Sequence, residues 1–277
     1  DDAYTSLAQE DVKVNEISAL IDAMEEMGIT NLGAGLSVSN PTVTQLENLH
    51  YLGLEEDPSG DVYDSYIVHR LISDSIDSAL TIPDDAYMSV AQDDIKVDEV
   101  SALIDAMNVM GVTNLTAGFS FSNPTTTQIK ELNYLGLGVD PSGDVYDSYI
   151  VHRLLSNAIS TAITVPSDSY ISGRPSDIKA DEIDHLIDTM DILGVLNVSD
   201  FAGITSADLS GLTAGEIETI TEETTSGPNL IVYYFINDVV DPTQTVGLID
   251  ANYVLDPVTS TRIRLTRPAL AAALTAL

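Results

Sequence analysis

Leu20-Ile21-Asp22-Ala23-Met24 recurs as Leu103-Ile104-Asp105-Ala106-Met107 and as Leu186-Ile187-Asp188-Thr189-Met190, each time 83 residues further along the chain. On either side of this block the recurrence continues. Asp1-Asp2-Ala3-Tyr4 returns as Asp84-Asp85-Ala86-Tyr87 and, more loosely, as Ser167-Asp168-Ser169-Tyr170. A shift of 83 places roughly 57 of the first 83 positions on identical residues without a gap. A fixed period of this length marks a repeat architecture, in which a unit that cannot bury its own apolar surface stacks on its neighbours. The third copy diverges after about Asn197, gaining a few residues between 201 and 212 and shortening near Ser226-Gly227-Pro228. At three periods Tyr253 falls on the register of Tyr4. The expected organisation is repeat unit 1–83, repeat unit 84–166, a divergent unit 167–252, and 253–277 as the start of a fourth, the chain stopping inside a repeat.

Each unit reads as three helices. Asn15, Asp98 or Asp181 is the expected N-cap of the first, with Glu16, Glu99 or Glu182 in its first turn, where the helix dipole favours an anion. Ile17, Leu20, Ile21, Met24 and Met27 fall on one stripe, and Gly28, Gly111 and Gly194 stand where a left-handed cap is wanted. The second helix is expected from Asn40-Pro41, and from Asn123-Pro124 in the next copy, ending at Gly53 and Gly136. The third is expected after Asp57-Pro58-Ser59-Gly60 and through about Leu80. Its apolar positions, among them Val62, Tyr63, Tyr66, Ile67, Ile72 and Ile76, cover too much of its circumference for a helix with a solvated side, so it is placed centrally, touching its own unit and the next. The tyrosines and isoleucines Tyr63, Tyr66, Ile67 and their counterparts Tyr146, Tyr149, Ile150 are the expected packing residues of the repeat junction. Thr81-Ile82-Pro83-Asp84-Asp85-Ala86-Tyr87 then forms an ordered, extended strap, Pro83 ending the helix. The predicted fold is mainly α: a tandem array of three-helix units of 83 residues stacked end to end, with short extended connectors.

Composition narrows the function. The 277 residues hold Lys+Arg 10 against Asp+Glu 44, a formal net charge of -34. Such a surface repels nucleic-acid phosphate and anionic lipid, so neither is an expected partner. A hydrophobic fraction of 44% still suffices for a core. Lys occurs only at Lys13, Lys96, Lys130 and Lys179. Acidity of this kind suits two settings: high salt, as in halophilic proteins, where ions screen self-repulsion, or an extracellular calcium-containing medium. With no cysteine, disulfides and thiol chemistry are excluded. No apolar run reaches the roughly 20 residues that span a bilayer, so membrane insertion is not expected. The opening Asp1 without a leader suggests a processed protein or an excised piece of a longer one.

The most site-like feature is the block from Asp57 to Leu71, identical in 140–154. Asp57, Asp61 and Asp64, with Asp140, Asp144 and Asp147, are candidate calcium ligands, since a hard cation needs several oxygens. The EF-hand ligand ladder is missing, and the third copy has Ser226-Gly227-Pro228-Asn229-Leu230 there. The competing reading is that Asp57 caps the third helix while Asp61 and Asp64 complement its dipole. His69-Arg70 and His152-Arg153 lie mid-helix and are replaced in the third copy by Ile236-Asn237 in the expected register, which suits packing or ion pairs, Arg70 with Asp74 at i+4, rather than catalysis. His50 and His185 read as isolated surface residues. No metal-hydrolase, serine-hydrolase or phosphate-loop motif occurs, and no enzyme is expected. Asn114-Leu115-Thr116 and Asn197-Val198-Ser199 are glycosylation sequons if the chain is secreted.

An apolar-striped helix closing on Met27-Gly28-Ile29 or Leu193-Gly194-Val195, then Tyr66-Ile67-Val68-His69-Arg70-Leu71 and an Ile82-Pro83 or Val165-Pro166 connector, resembles the tandem α-helical arrays of very large bacterial cell-surface proteins. The resemblance implies an extracellular or cell-surface fibre, filament or stalk whose partners are neighbouring repeats or other copies of itself. The alternative is an adhesin or partner-binding module using the divergent third unit as its binding surface.

Overall fold

The computed structural model describes residues 3–5, 8–32, 40–53, 65–88, 94–115, 123–136, 148–224, 227–228, 230–240, 253–255 and 262–277. The protein is mainly helical. In chain order the elements are β1 (Tyr4–Thr5), β2 (Ala8–Val12), α1 (Val14–Glu26), α2 (Val43–Leu52), α3 (Tyr66–Ala79), α4 (Val97–Met110), α5 (Thr126–Leu135) and α6 (Tyr149–Ala162). They continue with β3 (Tyr170–Ile171), β4 (Arg174–Ile178), α7 (Ala180–Ile192), α8 (Val198–Phe201), α9 (Ser206–Leu209), α10 (Ala214–Ile220), β5 (Glu223–Thr224), β6 (Gly227–Pro228), α11 (Leu230–Val240), β7 (Tyr253–Leu255), β8 (Arg262–Leu265) and α12 (Arg267–Thr275). The chain forms two compact units, one of residues 1–120 and 134–152, the other of 121–133 and 153–277.

The straps between third and first helices are not extended throughout: each makes a short 3-10 turn, Asp84–Ala86 and Ser167–Ser169, before entering a small antiparallel pairing that the sequence pattern does not announce. Tyr4 pairs with Val12, Tyr87 with Ile95, Tyr170 with Ile178 and Tyr253 with Leu265. The hairpin also sets the start of the following helix. Lys13, Lys96 and Lys179 are the N-cap residues of α1, α4 and α7 and make no side-chain cap. Their N–H groups donate instead to Ala3, Ala86 and Ser169 carbonyls at 3.0, 2.9 and 2.9 Å. Asn15, Asp98 and Asp181, expected as caps, therefore lie inside the first turn.

The second helix starts later than expected. Thr42 caps α2, with Gln45 N–H donating to its hydroxyl at 3.2 Å and Thr42 N–H to Gln45 Oε1 at 3.1 Å. Thr125 with Gln128 and Thr213 with Glu216 repeat this reciprocal cap on α5 and α10. Asn40-Pro41 precedes the cap. The third helix begins at Tyr66 with Ser65 as N-cap, so the capping role given to Asp57 belongs to Ser65. Gly28, Gly111 and Gly194 take the expected left-handed conformation, with φ 68°, 66° and 64°.

In the first unit α1 packs on α2 and α3, and α2 on both α3 and α4. Leu46, Leu49, Val68, Ile72, Ile76, Leu103 and Met107 are among its fully covered core residues. Gly136 lets α5 end close against α6, since a Cβ there would lie 3.2 Å from His152 Cβ. In the second unit α7 packs on α10 and α11, and α11 on β8 and α12. Phe201 of α8 meets Phe235 edge-on, ring centres 5.3 Å apart.

Candidate functional site

Three kinds of tie hold these elements, and each recurs along the chain. The first is a buried carboxylate. Glu16, expected to serve its own helix dipole, crosses to the start of α3: Ser65 Oγ donates to Oε2 at 2.7 Å, Tyr66 N–H to Oε1 at 3.1 Å and Ile67 N–H to Oε2 at 3.2 Å. Glu99 repeats this with Ser148, Tyr149 and Ile150 at 2.6, 2.9 and 3.1 Å. Glu182 accepts from Leu230 and Ile231 N–H, both at 3.0 Å. A helix start carries unsatisfied N–H groups and partial positive charge, so a carboxylate there meets both needs. Glu16 and Glu99 are 0% exposed. Burial raises the Glu99 and Glu182 carboxyls above 4.5, and the donors at the helix start oppose it.

The second tie runs from the third helix to the following hairpin. Ser73 Oγ accepts from Ile95 N–H at 3.1 Å, and Ser156 Oγ accepts from Ile178 N–H at 2.9 Å. Asn237 Oδ1 does the same for Leu265 N–H at 2.8 Å. His69 Nε2 donates to the Ile95 carbonyl at 2.6 Å, so one turn of α3 takes both backbone groups of one strand residue. Arg70 pairs with Asp94 at 3.5 Å, not with Asp74. Arg153 grips Asp177 with Nε and Nη2 at 2.9 and 3.2 Å. These ties also correct the third copy's register. Leu230 and Ile231 stand where Tyr66 and Ile67 do, so Tyr233-Tyr234, not Ile236-Asn237, replaces His69-Arg70.

The third tie is a helix-on-helix seam between successive periods. Val43 N–H of α2 donates to the Thr113 carbonyl at 3.0 Å, and Leu115 N–H to the Pro41 carbonyl at 3.4 Å. One period on, Thr126 N–H donates to Leu196 at 2.9 Å and Val198 N–H to Pro124 at 3.2 Å. Asn108 donates to Glu47 at 3.1 Å across the first seam, and Lys130 pairs with Asp191 across the second. The covered face of α4 and the turn after it is Val100, Ile104 and Leu115, exposed by 0, 6 and 1%. Ile183, Ile187 and Val198 repeat it. On α1 the matching Ile17 and Ile21 are 47% and 58% exposed, against the expected buried stripe, and α1 buries Glu16, Ala19 and Ala23 instead.

His50 and His185, expected on the surface, are buried. Burial holds His50 at about 4, with His69 nearby adding repulsion. Burial likewise lowers His69 and His185, opposed by the Ile95 and Ile220 carbonyls. Tyr66 and Tyr149 are half-buried at their helix starts under the Lys13 and Lys96 ammonium groups, 5.7 and 5.5 Å from the ring centres. Ile67 is half-buried and Ile150 is buried. Asp57, Asp61, Asp64, Asp140, Asp144, Asp147, Tyr63 and Tyr146 lie outside the described residues. Among the described residues no group of three His, Asp or Glu side chains is arranged to hold a metal, and no helix is long and apolar enough to cross a membrane. Asn114 and Asn197 pair with Thr42 and Thr125 as isolated bridges at the seams.

Sequence pattern alone misses the carboxylate tie because its partners are 49 to 51 residues away. The available signal is that Glu recurs at 16, 99 and 182 while the preceding residue changes from Asn to Asp. No protein-family model matches the chain, and no curated protein and no solved structure matches it.

Proposed function

We propose that the chain is part of an extracellular structural protein, a fibre, filament or cell-surface stalk held together by repeat-to-repeat packing of 83-residue units. The observation that supports this most is the seam: α2 lies on α4, and α5 on α7 through Thr126, Lys130 and Asn133, by the same backbone pairs. Stability in such an array is a sum of unit and nearest-neighbour contributions. The clasp of the third helix on the following hairpin adds a second link of the same direction. The surface carries a net charge of -34, which a saline or calcium-containing medium screens. The chain holds and spaces; it performs no chemistry.

The test is a series of chains lengthened by whole 83-residue units. Thermal unfolding is expected to remain a single transition whose midpoint rises with each unit. Independent melting of units, with a midpoint unchanged by length, overturns the reading.

A further inference from the structure

We infer that the exposed face of α1 is a docking surface for the second helix of a further repeat unit, of the α5 type. The inference rests on the array reading above and adds to it a defined acceptor with a preference for its partner.

The same face occurs four times. On α4 it is covered by α2, and on α7 by α5. On α12, Leu270 and Leu274 stand at the register of Ile17 and Ile21, counted from Lys13 and Thr266 as N-caps, and are 0% and 3% exposed where α12 packs on α10. On α1 alone among the described residues it is open. Ile17, Ile21 and Leu32 are 47, 58 and 58% exposed, whereas their counterparts Val100, Ile104 and Leu115 are at most 6% exposed. Next to them is a groove of about 380 Å³ lined by Ile21, Met24, Glu25, Gly28, Ile29 and Thr30. A contiguous apolar patch of this kind on an otherwise acidic surface marks an interaction site.

The counterparts name the occupant. Thr30 stands where Thr113 and Leu196 receive the first helical N–H of α2 and α5, and Leu32 where Leu115 and Val198 donate to Pro41 and Pro124. Among the described residues a second copy of the present chain has no such helix to offer, because α2, α5 and α10 already lie on α4, α7 and α12. The occupant is therefore the second helix of an additional unit, entering as Asn-Pro-Thr followed by an amphipathic turn. Two versions, α2 and α5, have this entry, whereas α10 follows Gly211-Leu212-Thr213, and charge selects between the two. Glu25 occupies the place of Asn108 and Asp191, which face Glu47 and Lys130. An α2-type helix would set Glu47 against Glu25, whereas an α5-type helix supplies Lys130.

Because the chain has no cysteine, single cysteines report the face directly. Ile17→Cys and Leu32→Cys are placed in the full 277-residue chain and in the same chain preceded by an added copy of residues 84–166. Labelling by a soluble maleimide is expected to slow at least tenfold in the lengthened chain, while exposed Asn48→Cys labels equally in both. Prefixing residues 1–83 instead, or substituting Lys130→Glu in the added unit, is expected to restore part of the labelling. If the lengthened chain melts as one transition at a raised midpoint yet labels at the original rate, the array reading stands and this docking is overturned. If the added unit melts separately, the array reading itself fails. Slow, concentration-dependent labelling of the unlengthened chain would assign the face to a second copy and also overturn the proposal.

Discussion

The Glu99 carboxylate accepts a 2.6 Å hydrogen bond from the Ser148 hydroxyl, joining the first turn of α4 to the N-cap of α6 across 49 residues of chain. Both groups are buried, so neither can exchange its partner for water. Glu99→Ala leaves the hydroxyl and the Tyr149 and Ile150 N–H groups without an acceptor. A loss of about 2–4 kcal/mol in urea unfolding is expected, with Glu99→Gln at roughly half, since the amide keeps one acceptor oxygen. A loss below about 0.5 kcal/mol for the alanine variant would show that the tie is dispensable.

His50 is buried as the neutral imidazole, its pKa held at about 4 by burial. A histidine depressed in the folded state contributes stability above its ordinary 6.5, and that contribution is lost as pH falls toward 4. By linkage this is about 2–3 kcal/mol between pH 7 and pH 4.5. Glu99 and Glu182 act in the opposite sense, because their raised carboxyls favour folding at acid pH and lose that advantage as pH rises above 4.5. His50→Asn, which installs the residue found at Asn133, is expected to flatten the acid limb of the stability profile. An unchanged limb would move the titration elsewhere.

Arg153 and Arg70 occupy the same place in successive periods but should differ in weight. Asp177 is 2% exposed and bound by two guanidinium nitrogens, so Arg153→Ala strands a buried charge at a cost of about 3 kcal/mol or more. Arg70 is 45% exposed and 3.5 Å from Asp94, and Arg70→Ala is expected to cost less than about 1 kcal/mol. Equal losses in chemical denaturation would contradict this ranking.

Calcium is expected to be a minor factor in stability. Addition of a chelator should shift the melting temperature by less than about 2 °C, because a ligand raises stability only where it binds the folded state in preference to the unfolded one. A fall of more than about 5 °C, reversed by calcium but not magnesium, would instead assign Asp57, Asp61, Asp64 and their counterparts a structural cation.

Helix type and approximate position were legible because the apolar spacing from Ile17 to Met27 and the caps at Gly28, Gly111 and Gly194 are local signals. The hairpins were not: β1 and β3 have only two residues each, too few to alternate, and Tyr170 meets Ile178 through pairing that no short window reports. Burial of His50 and His185 was missed for a related reason. Each stands among polar neighbours in its own helix, and its covering surface comes from an element distant in sequence. The open stripe of α1 shows the converse, since its residues match buried ones in type and spacing. Only the location of a neighbouring helix separates Ile17 from Val100.

The seam joins two unlike surfaces, the start of a second helix on one side and the flank and C-terminal turn of a first helix on the other. A contact of this heterologous kind has no two-fold axis, so the patch that accepts cannot also be the patch that inserts. Each successive seam therefore inherits a head and a tail from the last, and whatever is built by repeating it is polar, with two ends that are chemically distinguishable.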